Sequence, residues 1–193
     1  MRRLLVVALA LLLALPALAS TWELDPAHSS VQFAVSHLMV STVRGTFNTF
    51  RGTVSFDETD PTKSSVEATI DVASIDTREA KRDEHLKGPD FFDAEKFPVI
   101  TFKSKSVAST GADKFRVVGD VTIHGVTKEI ALEASGSPKP FKDPFGKTRM
   151  GGAVRGKLNR KDFGMTWNKS LDSSGVVVGD EITITIDVEL VQK

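Results

Sequence analysis

The 193-residue chain contains no cysteine and no tyrosine, and it carries no net charge. Without cysteine there is no disulfide framework, no iron–sulfur cluster, no thiolate zinc site and no cysteine nucleophile. Basic and acidic side chains balance at 25 each, so there is no excess of cations with which to capture nucleic acid. With tyrosine missing, the twelve phenylalanines make nearly all the large rings purely apolar, and such rings need no hydrogen-bond partner when buried. That composition suits a greasy interior. Apolar residues at 40% and charged residues at 26% are otherwise ordinary globular proportions.

Long apolar runs are also scarce, with one exception at the start. Met1-Arg2-Arg3 precedes the unbroken run Leu4 to Leu15, and Ala17-Leu18-Ala19 supplies a small-x-small cleavage pattern before Ser20. A bilayer span needs about 20 residues, so this segment reads as an export signal, residues 1–19, cleaved after Ala19. Residues 20–193 are then expected to form one domain in a bacterial periplasm, with no transmembrane anchor. Cleavage removes two arginines and no acid, which leaves a net charge of −2.

The rest of the chain alternates apolar and polar residues at period 2, the mark of strands with one buried face. Val31, Phe33, Val35 and His37 share one face. Val54 and Phe56, then Val66, Ala68, Ile70 and Val72, then Ile100 and Phe102, then Phe115, Val117, Val121 and Ile123 repeat the pattern. Ile123-His124-Gly125-Val126 predicts a tight hairpin, followed by Ile130, Leu132 and Ala134. Met150, Val154 and Leu158 continue with Gly152 and Gly156 in the same phase, and Ile182 to Leu190 alternate with Glu181 to Glu189. About eight strands with short connections predict an all-β sandwich or barrel, and inward glycines, which let a strand bend, favour closure into a barrel. One short helix is predicted from Arg78 to Lys87, with Thr77 as N-cap and Gly88-Pro89 as its stop. Ser137 to Gly146, rich in proline and glycine, reads as a connection.

Chemistry-bearing motifs are few. His28, His37, His85 and His124 lack the close pairing of a metal site, so no metal or cofactor is expected. Arg82-Asp83-Glu84-His85 puts acid, base and imidazole in sequence, but neighbouring helix residues do not face one another, and the segment reads as a solvated face. Hydrolase elbows, phosphate loops and zinc-protease motifs are absent, which disfavours an enzyme. Asn159-Arg160-Lys161-Asp162-Phe163-Gly164-Met165 reads as a strand-end turn or as a contact for a ligand's polar end.

Several stretches together resemble the YceI family. They are Trp22-Glu23-Leu24-Asp25 with His28-Ser29, Gly45-Thr46-Phe47, Phe50-Arg51-Gly52, Ser74-Ile75-Asp76-Thr77, Arg82-Asp83-Glu84-His85-Leu86, Phe91-Phe92-Asp93, Phe97-Pro98-Val99-Ile100-Thr101-Phe102, Gly119 to Lys128, and Asn159-Arg160 with Phe163-Gly164. They occur in order across the chain after Ala19. The resemblance implies an extended, antiparallel, lipocalin-like barrel, commonly a homodimer, whose apolar tunnel holds a polyisoprenoid or another long-chain amphiphile. Family members are typically exported bacterial proteins linked to isoprenoid handling and stress. Strand phase then nominates Phe33, Val35, Phe47, Phe56, Ile70, Phe91, Phe92, Ile100, Phe102, Val121, Ile123, Leu158 and Phe163 as tunnel lining. His37, Arg82, His85 and Arg160 are the candidate head-group contacts. Two other readings stay open: an enzyme acting on such a lipid with His37 or His85 as base, and a barrel filled by its own side chains.

Overall fold

The computed structural model describes residues 19–136, 139–171 and 175–193. All of the export signal except Ala19 lies outside them, as does part of the Ser137 to Gly146 connection. The chain forms one antiparallel sheet that closes on itself. Its strands are β1 (Ser20–Leu24), β2 (Ser30–His37), β3 (Ser41–Phe47), β4 (Phe50–Phe56), β5 (Ser65–Asp71), β6 (Ile75–Asp76), β7 (Val99–Gly111), β8 (Lys114–Ile123), β9 (Val126–Ser135), β10 (Phe141–Lys142), β11 (Thr148–Asn159) and β12 (Val178–Gln192). The helix α1 (Ala80–Lys87) lies between β6 and β7.

The closed ring runs β12-β1-β4-β5-β7-β8-β9-β11 and returns to β12. β11 occupies one edge of β12 from Glu181 to Val191. β1 and β2 must share the other edge, β1 at Leu190–Gln192 and β2 at Val178–Asp187. They are one bent strand, broken at Asp25-Pro26 because proline has no N–H for the ladder. Asp25 rejoins the sheet through its own N–H to the Glu189 carbonyl at 2.8 Å. β3 and β4 form a second bent strand beside them, with the break at Asn48-Thr49. Eight long strands therefore enclose the interior, as the periodicity predicts.

Four segments escape the period-2 reading: β1, β3, β6 and β10. β3 reads Ser-Thr-Val-Arg-Gly-Thr-Phe, and Gly45 stands where an apolar side chain is expected. The ring of Phe33, directly across the ladder, fills that space; a Cβ on Gly45 would lie 2.4 Å from Phe33 Cζ. The predicted hairpin is present, with both central residues left-handed, His124 at φ 50° and Gly125 at φ 73°. This geometry matches the twist of paired strands. Val72, predicted as strand, instead starts a 3-10 turn and is buried.

The helix boundary needs correction. Thr77 is not the N-cap: Arg78 adopts φ 64°, so the helix begins at Ala80, with Glu79 accepting from the Lys81 N–H. Thr77 is buried, and its N–H and hydroxyl both donate to Asp83 Oδ1, at 2.9 and 2.5 Å. The helix is thus docked through Asp83 and not merely solvated.

At the opposite end of the barrel Arg149 gathers three carboxylates. Its Nε donates to Asp143 Oδ2 at 2.6 Å, and its Nη1 donates to Asp25 Oδ2 at 2.8 Å and to Glu189. Arg149 first, and His28 second, hold the Asp25 carboxyl down at about 2 against an ordinary value of 3.8. A carboxyl depressed in the folded state stabilises the fold above its unfolded value and loses that contribution as pH falls through the folded value. Asp25→Asn is therefore expected to melt below the parent at neutral pH, with the gap closing between pH 3.8 and about 2. Thermal melts across that window check this.

Candidate functional site

The inward faces of the strands do not fill the interior. They surround an elongated cavity of about 380 Å³, within the range of small-molecule sites. Ile182, Ile184, Ile186, Val188 and Leu190 of β12 all face it, and at about 3.3 Å per residue they trace roughly 26 Å of wall. Eight of the twelve phenylalanines line the cavity, among a larger number of branched aliphatic side chains. Phe33, Phe47 and Phe92 form a tilted and then edge-on stack, with centroids 5.7 and 5.8 Å apart. Leu86, Phe91 and Phe92 close one end from α1 and the segment after it.

Of the thirteen nominated lining residues, twelve border the cavity: Phe33, Val35, Phe47, Phe56, Ile70, Phe91, Phe92, Ile100, Phe102, Val121, Ile123 and Leu158. Phe163 does not. It is almost completely buried in the packed core, and its carbonyl accepts from His124 Nδ1 at 3.1 Å, which ties the turn after β11 to the β8–β9 hairpin. Trp22, Met150 and Leu190 pack together at the end nearer Arg149. Trp22 is fully buried, with its indole N–H on Ser20 Oγ.

Of the four nominated head-group contacts, Arg82, His85 and Arg160 spend their polar atoms within the protein, and His37 stands off the cavity wall. Arg82 lies off the cavity, its guanidinium donating to the Thr77 hydroxyl and carbonyl, both at 2.8 Å. His85 is also off the wall: Nε2 pairs with Asp90 Oδ2 at 2.9 Å, and the ring meets Phe91 and Trp167 edge-on. His37 sits half-buried at the end of β2, beyond Val35, and does not border the cavity. Arg160 does border it but is only 2% exposed. Its guanidinium donates to the carbonyls of Gly179, Met165, Trp167 and Val178 and to Asp180 Oδ1. Burial pulls this guanidinium below its ordinary value, and Asp180 opposes the shift. All of its nitrogens are engaged within the protein, so Arg160 fastens the chain after β11 to the start of β12.

Besides Arg160, the polar residues that border the cavity are Gln32, Arg51, Ser64 and Ser135. Strand phase places Gln32 outward, and Ser64 and Ser135 lie at strand ends where alternation carries little information. Among the described residues no histidine lines the cavity. Away from the cavity, Asp25 with His28 and Glu189 has the proximity a metal ion would need, and Arg149 already engages both carboxylates. What this arrangement can do chemically is bury a long apolar chain.

The profile of the YceI-like domain matches residues 22–190. A UPF0312 protein of Vibrio parahaemolyticus is 42% identical over 158 residues, covering 81% of this chain and 83% of its own. Among solved structures, Burkholderia cenocepacia BcnA superposes with a TM-score of 0.73 at 28% identity, covering 86% of this chain and 98% of that one. A polyisoprenoid binding domain from Saccharophagus degradans, implicated in plant cell wall breakdown, shares the fold at a TM-score of 0.63 and 15% identity, covering 92% of this chain and all of that one. With the profile spanning the barrel from Trp22 in β1 to Leu190 in β12, the chain belongs to the YceI-like family.

Proposed function

We propose that this protein binds a polyisoprenoid or another long-chain amphiphile inside the barrel and carries, stores or sequesters it after export to the periplasm. The observation that carries this reading is the elongated apolar cavity, bordered by eight phenylalanines. Each buried methylene contributes about 0.8 kcal/mol, so a chain of several isoprene units gains affinity along its whole length without a specific polar contact. Cavity length and the few polar groups at its borders then select the ligand. The S. degradans domain, described as polyisoprenoid binding, supports the same ligand class. Binding is favoured over catalysis because His37 and His85, the two candidate bases, stand away from the cavity wall.

The test is native mass spectrometry of protein made from the full chain in its own host, followed by solvent extraction. The expected spectrum shows a chain beginning at Ser20 with a discrete added mass that extracts as a prenyl lipid, and it reports directly whether the protein is a homodimer. Protein that arrives bare and also takes up no added long-chain prenyl lipid would sink the reading.

A further inference from the structure

Four phenylalanines do not line the cavity, and two of them lie outside the barrel altogether. Phe163 is buried, and Phe97 packs edge-on against His124. Phe141 and Phe145 are 60% and 88% exposed. Both belong to the hairpin that joins β10 to β11, which projects from the end of the barrel opposite α1. The hairpin is firmly built. Asp143 Oδ1 accepts from the N–H groups of Phe145 and Lys147, both at 2.9 Å, the Asp143 N–H donates to the Lys147 carbonyl at 2.8 Å, and Arg149 clamps Asp143 from the barrel side. Two large rings are therefore held in water by a rigid support, at an energetic cost that a packed fold has no use for.

The free charge on the hairpin itself is positive. Lys142 and Lys147 are exposed and form no ion pair among the described residues, whereas the carboxylate of Asp143 is spent on Arg149. Lys114, at the start of β8 on the same end of the barrel, is exposed and forms no ion pair among the described residues either, but exposed Asp113 beside it balances its charge, so the positive patch rests on the two hairpin lysines. Exposed rings flanked by unpaired lysines fit a surface that is apolar beneath and anionic on top, as an acidic phospholipid bilayer is. A second copy of this chain fits less well, because a two-fold contact through this hairpin would bring the same lysines together. Ser135, Gly136, Met150 and Gly151, which adjoin the hairpin, also border the cavity. We propose that the β10–β11 hairpin is a membrane-docking arm that seats this end of the barrel on anionic lipid. The inference does not depend on what fills the cavity, because it is read from vesicle binding alone.

The experiment is flotation of protein made from the full chain, confirmed by intact mass to begin at Ser20, with vesicles of phosphatidylglycerol and phosphatidylethanolamine or of phosphatidylcholine alone. Binding is expected on the anionic vesicles only, and it should weaken as salt rises. Lys142→Ala with Lys147→Ala should weaken it by about 30-fold, and Phe141→Ser with Phe145→Ser should remove it while leaving the melting temperature unchanged. Met39→Ser with Val40→Ser, at the exposed β2–β3 turn of the other end, should bind like the parent. The proposal is overturned if the phenylalanine variant binds as the parent does, if the parent ignores anionic vesicles, or if the Met39 and Val40 pair carries the binding. Sedimentation showing a dimer that the phenylalanine changes dissolve, with no vesicle binding, would overturn it in favour of a second copy.

Discussion

Ala68→Trp is expected to lower affinity for a long-chain prenyl probe by about 100-fold while the barrel stays folded. Ala68 lies in the middle of β5, between Gly52 of β4 and Phe102 of β7, and borders the cavity. An indole there occupies space that three or four methylenes of a bound chain would otherwise take, and at about 0.8 kcal/mol each that loss amounts to about 100-fold. The same substitution separates the cavity reading from a barrel filled by its own side chains. A filled core would be overpacked and lose about 1–3 kcal/mol of stability, whereas a cavity accepts the ring. Titration with a fluorescent prenyl probe beside a thermal melt measures both quantities. Unchanged affinity in a folded variant would mean that the ligand does not occupy this part of the barrel.

Arg160→Met is expected to act in the opposite way, through stability. The guanidinium answers the carbonyls of Met165, Trp167, Val178 and Gly179 in a site closed to water. Of these, the Val178 carbonyl keeps a second donor in Asn168 Nδ2. The other three lose the hydrogen bonds they make to Arg160, and the cost of such orphaned groups is only partly offset by no longer burying a charge. A loss of about 4 kcal/mol is expected, or roughly 12 °C in melting temperature for a domain of this size. A head-group role would give the reverse pattern: little change in melting, with weaker binding at temperatures where the variant is folded. Differential scanning calorimetry and probe titration at low temperature distinguish the two.

The contrast between these residues explains what could be read from the chain. Strand phase needs only neighbours two positions away, and it nominated Phe33, Ile70, Phe102 and Val121, which border the cavity; it also put Ile182 to Leu190 of β12 on one face, but none of these was nominated as lining. Phe91 and Phe92 belong to no strand and reach the cavity from the segment after α1. The polar assignments failed for a common reason. Arg160 meets carbonyls up to 19 positions along the chain, Arg82 turns back onto Thr77, and His85 wedges against Trp167 in a different segment. Arg160 and His85 depend on how distant pieces meet, and Arg82 on the left-handed turn at Arg78 that folds it back onto Thr77; strand phase encodes neither. β3 was missed because the apolar group over Gly45 belongs to Phe33 on the neighbouring strand. The docking arm was hidden in a stretch read as a connection: its proline and glycine mark turns correctly, but only the fold shows that its two rings face water.

Closure of the ring has a consequence for the protein once its interior is empty. Closure pairs β11 with β12 from Arg149 to Asn159, and the sheet ends in β6 and β10, each two residues long. Edges that short are poor templates for strands from other chains. Emptying the barrel uncovers side-chain surface on the inside and adds no backbone edge on the outside, so loss of the ligand by itself gives crowded molecules no new template for a fibril.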